Sequence, residues 1–123
     1  MKLQRDTLAD SNLITAYAAG HVEINRQRHE TNLLLLPDRV ITAWAASGFD
    51  ALVDSDFRLI ADLRPEIVLL GTGSRQRFPA PALLRPLIEA RIGYEIMDLA
   101  AACRTYNVLM LEGRRVAAAL LIE

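Results

Sequence analysis

The chain has 123 residues, 52% hydrophobic and 24% charged, with 14 basic against 15 acidic side chains and a net charge of −1. That length suits one domain with a core of its own, and the balance excludes a disordered or fibrous chain and the broad basic surface that draws nucleic acid or anionic lipid. With one cysteine, Cys103, two histidines, His21 and His29, no apolar run of membrane-spanning length and no secretory signal, the expectation is a cytoplasmic protein without metal or cofactor.

Residues 1–12 read as a polar lead-in in which Leu3 and Leu8 are apolar exceptions. Leu13–Ala19 carries β-branched and aromatic residues up to Gly20 and predicts a strand, and His21–Ile24 alternates polar and apolar as a half-buried strand does. Asn25–Thr31 is a polar turn with room for a short strand. Asn32–Leu36, stopped by Pro37, is read as the third strand of an antiparallel meander. Val40–Trp44 continues the sheet, with Trp44 expected in the core. After the break at Ser47–Asp50, Asp54–Leu63 predicts a helix with Phe57, Ile60 and Ala61 inward, Asp56, Arg58 and Asp62 outward, and Asp54 or Ser55 as its cap.

Ile67–Leu70 is apolar on both faces, the usual condition of a strand in a parallel sheet. It ends in Gly71-Thr72-Gly73, where glycine permits a positive φ or a close backbone approach, and such turns can aim several N–H groups at one anion. Arg75 and Arg77 add positive charge. Two standard nucleotide motifs fail here. The dinucleotide fingerprint needs a third glycine where Gln76 stands and a helix where Phe78–Pro81 delays one, and the phosphate-cradling loop needs a lysine, absent after Lys2.

Pro81–Arg91 predicts a helix with Leu83, Leu84, Leu87 and Ile88 on one stripe and Arg85 and Glu89 outside. Gly93 ends it, Tyr94–Met97 is the next strand, and strand, helix and strand make a parallel βαβ unit. Both strands then deliver their C-terminal ends, Gly71–Arg77 and Asp98, to one edge of the sheet, where open α/β sheets bind ligands. Asp98 caps a helix from Leu99 to about Glu112, from which Arg104 and Asn107 can reach back toward that edge. Cys103 reads as a buried small residue. Val116–Ile122 is apolar throughout and must be an interior strand. The architecture is α/β: a mixed sheet with helices on it and an antiparallel N-terminal layer beside it.

The segments 63–73, 93–98, 101–109 and 113–120 resemble a family of small, largely uncharacterised domains. Its members include the mitochondrial respiratory complex I assembly factor and the adipogenesis-associated domain protein. The resemblance implies a three-layer β/α fold and a single-domain member of bacterial type. It also implies a motif at Gly71, Thr72, Gly73, Asp98, Arg104, Thr105, Tyr106 and Asn107, and a role acting through protein partners; it brings no catalytic residue or cofactor.

Two functions follow as expectations. In the first, a binding or assembly-factor domain holds a partner's segment, or a small anion, in a groove formed by Gly71, Thr72, Gly73, Arg75, Arg77, Asp98, Arg104 and Asn107. In the second, an enzyme or carrier takes a small anionic metabolite, with Arg75, Arg77 and Arg104 holding its charge and Asp98 as base. A deep enclosed pocket favours the second, and a shallow groove with an apolar rim the first.

Overall fold

The computed structural model describes residues 10–123, so the lead-in with Leu3 and Leu8 lies outside it. Three antiparallel strands come first, β1 (Ile14–Ala18), β2 (His21–Ile24) and β3 (Gln27–His29), paired in that order. Their turns take two residues each, and Asn25 and Arg26 carry φ of 52 and 68, the paired left-handed conformation that a tight hairpin needs. The second sheet has five strands, β4 (Leu33–Leu36), β5 (Arg39–Thr42), β6 (Ile67–Gly71), β7 (Gly93–Met97) and β8 (Val116–Leu120), in the order β5-β4-β8-β6-β7. β6 runs parallel to both β7 and β8, and β4 is antiparallel to β5 and β8.

The leucine strand therefore corrects the expected meander: its third strand is the polar Gln27–His29, and Leu33–Leu36 belongs to the central sheet. The reason is burial. All four leucines are fully buried, so the strand needs cover on both faces, which only the middle layer offers. β5 stops at Thr42 because Ala43 turns to φ 61, and Trp44 drops into the core with its indole N–H donating to the Asp56 carbonyl at 3.0 Å.

Three helices cover this sheet among the described residues, α1 (Asp54–Asp62), α2 (Arg85–Glu89) and α3 (Leu99–Leu111). The cap of α1 is Val53, whose N–H donates to the Asp56 carboxylate at 2.9 Å, rather than Asp54 or Ser55. The helix expected over 81–91 is split into a 3-10 turn, Pro81–Leu84, and the short α2. Pro86 has no N–H to carry the ladder across the join. The split also turns Ile88 out of the expected stripe, to 57% exposure.

Alternation along the strands separates two cores. Leu33, Leu35, Leu69, Ala118 and Leu120 face α3 and the meander; Leu34, Leu36, Val68, Leu70 and Ala119 face Trp44, α1 and α2. The result is three layers with β8 wholly buried in the middle one. Because β6, β7 and β8 are parallel, the residues that follow them, Thr72–Arg77, Asp98 and Glu123, emerge at one edge.

Candidate functional site

The root of the loop after β6 is built for close packing. A Cβ on Gly71 would lie 2.9 Å from the Ala102 Cβ and 3.1 Å from Leu120 Cδ2, so its bare backbone is what lets α3 lie against β6. Gly73, at φ 84, turns the chain over the same helix and accepts the Leu99 N–H at 2.8 Å. Between them Thr72 is fully buried. Its N–H donates to the Met97 carbonyl at 2.9 Å, and its hydroxyl accepts the Arg77 N–H at 2.9 Å and donates to the Arg75 carbonyl at 2.7 Å. The turn thus closes on the chain's own hydroxyl, which takes the Arg77 N–H an anion would have used.

Arg77 is likewise engaged. Its Nε and Nη2 donate to the Thr72 carbonyl at 3.1 and 2.9 Å, and Nη2 also reaches Glu123 Oε1 at 3.0 Å. The guanidinium stacks 4.4 Å above the Phe49 ring, whose own backbone N–H donates to the other Glu123 oxygen at 3.1 Å. Gln76 Nε2 donates to the Ile96 carbonyl on the edge strand at 2.8 Å. Arg75 is different: its side chain is exposed and pairs with no described group.

The remaining predicted residues sit on α3. Asp98 caps it, its Oδ1 accepting the Ala101 N–H at 2.8 Å. Arg104 donates to the Tyr17 hydroxyl at 3.4 Å, and that hydrogen bond, with the nearby Asp98 charge contributing less, raises its pKa further. Asn107 acts as a piece of strand: Oδ1 accepts the Ile14 N–H at 3.0 Å and Nδ2 donates to the Ile14 carbonyl at 2.8 Å, fastening β1 to the helix. Cys103 and Tyr106 point into the core, fully buried. Burial pushes the Cys103 thiol from 9.0 up to about 12 and raises the Tyr106 phenol as well, and the Tyr106 hydroxyl donates to the Asn12 carbonyl at 2.9 Å. Neither is presented as a nucleophile.

Of the eight predicted residues, Gly73 and Asp98 line a shared cleft of about 290 Å³. Its other walls come from segments the sequence did not single out: Tyr17, Ala18 and Ala19 at the end of β1, Ser74, Leu99 and Ala100, and Glu123. No sequence signal marked this wall, because packing of β1 against α3 forms it. Larger hollows exist, one of 500 Å³ beside Asp38 and Arg115 and one of 860 Å³ at the opposite edge between α1 and α2. The 860 Å³ hollow faces the N-terminal ends of β6 and β7, and the smaller cleft is the one at the edge where parallel strands converge on a ligand.

The family model described as Protein of unknown function (DUF498/DUF598) matches residues 14–121, which takes in every described strand and helix. The chain belongs to that family. The bovine relative named NADH dehydrogenase [ubiquinone] 1 alpha subcomplex assembly factor 3 is 34% identical over 110 residues, 88% of this chain and 59% of its own length. The chain thus spans less than two thirds of that assembly factor. A Francisella tularensis relative named 13 kDa major membrane protein is 27% identical over 117 residues, 94% of this chain and 95% of its own. Among solved structures, a Bordetella parapertussis protein superposes with a TM-score of 0.84 at 39% identity, over 92% of this chain and 97% of its own. The resemblance drawn from the four sequence segments is thereby shown, and the three-layer fold with it. No helix among the described residues is long and apolar enough to cross a membrane.

Proposed function

We propose that the domain is a binding module of the assembly-factor kind, holding a segment of a protein partner in the cleft between β1 and α3. The observation that carries this reading is the cleft itself: small, and lined by the apolar Ala18, Ala19, Leu99 and Ala100 beside the polar Asp98 and Glu123. A volume of about 290 Å³ lies at the low end for small-molecule pockets and accommodates one or two side chains of a docked segment. The metabolite alternative asks three arginines to converge on one anion. Arg77 is held by Thr72 and Glu123, and none of the three lines the cleft. The compartment this reading assigns is the cytoplasm, and fractionation against membrane and soluble markers tests it.

Affinity capture with the intact chain tests the binding role. Ala100→Arg fills the cleft mouth, and Arg64→Glu alters the opposite edge. A partner enriched by the parent and by Arg64→Glu, and lost with Ala100→Arg, is the expected result; a partner retained by Ala100→Arg contradicts it. A parallel thermal-shift screen against phosphates and small carboxylates addresses the alternative. A ligand at 100 times its Kd stabilises a fold by about 2.7 kcal/mol, and a shift of that kind abolished by Arg75→Ala would favour the anion reading.

A further inference from the structure

The loop after β6 is tied down at Thr72, Gln76 and Arg77, yet it holds two side chains away from the body. Phe78 is 67% exposed, the highest value among the large hydrophobic side chains of the described residues. Arg75, three residues earlier, has no partner among the described residues. A braced loop pays little ordering entropy on docking, and aromatic and arginine side chains are the types that anchor interfaces. The neighbouring cleft has the opposite character. Its lining joins the apolar Ala18, Ala19, Leu99 and Ala100 to the carboxylates of Asp98 and Glu123, the latter already paired with Arg77. Loop and cleft meet at Gly73 and Ser74, but Phe78 does not line the cleft of its own chain.

We infer that this edge is a self-association surface: two copies of the chain meet edge to edge, with Phe78 of each seated in the cleft of the other and Arg75 facing the partner copy's Asp98. Three observations select a second copy as the occupant. The exposed Arg75 cation of the loop matches the Asp98 carboxylate in the cleft lining. The small apolar cleft suits one aromatic side chain. Donor and acceptor surfaces are adjacent, so a single two-fold axis makes both contacts together and closes the assembly. The inference rests on the cleft being a docking site, and the second copy would compete with any partner segment for it.

Sedimentation equilibrium of the purified full chain, from micromolar to millimolar concentration, tests the pairing. The expected result is a mass that climbs reversibly toward twice the monomer. Phe78→Ser and Ala100→Arg should hold the monomer mass throughout, with thermal unfolding unchanged, and Arg75→Glu should shift association to higher concentration. A parent chain that stays monomeric at every concentration overturns the inference, as does a dimer indifferent to Phe78→Ser. Failure here is separable from failure of the binding role. A monomeric parent that still loses its captured protein on Ala100→Arg leaves that role standing, whereas a Phe78-dependent dimer that captures no other protein leaves only the pairing.

Discussion

The stretch from Gly71 to Phe78 contains two kinds of residue that look alike in sequence and differ in the fold. Gly71, Thr72, Gly73 and Arg77 face inward and make contacts within the chain, whereas Ser74, Arg75 and Phe78 face solvent. The contrast between the two arginines is sharpest. Arg77 has a carbonyl, a carboxylate and a ring within reach; Arg75, two residues away, has none among the described residues. A basic glycine loop is thus a structural joint carrying a free tip, and the two parts should respond to change in opposite ways.

The largest effect should come from the helix on which the root rests. The raised Cys103 pKa means that the folded state keeps the thiol proton which the unfolded chain releases near its ordinary 9.0. This contribution is therefore fully present below pH 9 and is lost as pH climbs toward about 12, to a limit of about 4 kcal/mol. The Tyr106 phenol, raised in the same sense, adds to the loss. Urea melts at stepped alkaline pH should show that decline, with Cys103→Ala giving a shallower slope; an equal slope would contradict the burial argument. Gly71→Val comes next. Its Cβ would press on Ala102 at 2.9 Å, and overpacking of this kind should cost about 3 kcal/mol by urea denaturation. Thr72→Val keeps the shape and removes the hydroxyl from Arg75 and Arg77, for a loss of about 2 kcal/mol. Arg77→Ala should cost about 1 kcal/mol, since its ion pair with Glu123 is partly exposed and its carbonyl contacts carry the rest. At the tip, Arg75→Ala and Phe78→Ser should leave stability within about 0.5 kcal/mol of the parent while changing association. A tip substitution as costly as Thr72→Val would erase the distinction.

Much of the fold could be read in advance where one local pattern had one meaning. Ile67–Leu70, the following glycine turn, Gly93 and the second strand specify a parallel βαβ unit, and the all-apolar Val116–Ile122 has no place except the middle of a sheet, where its first five residues form β8. Leu33–Leu36 was harder. Four leucines require an interior strand, but nothing in their period says which sheet, and the long-range pairing with β8 decides it. Residues 81–91 read as one helix because the apolar stripe runs on through Ile88, and Pro86 within it went unweighed although the helix divides there. The edge carrying the candidate site was legible for the same reason as the βαβ unit. Roles within it were not, because they are set by residues distant in the chain. Asn107 is committed to Ile14 and Arg77 to Phe49 and Glu123. Tyr17–Ala19 forms a wall of the cleft only because the meander packs against α3.

The central claim is that the domain docks protein through the edge where β6, β7 and β8 end. Photo-crosslinking in the cells of origin tests it most directly, with a crosslinking residue placed at Ala18 beside the cleft or at Arg91 on the opposite edge. The account predicts a discrete protein adduct from position 18, whether another protein or a second copy, and none from position 91. Adducts of equal yield from both positions, or from position 91 alone, would contradict it.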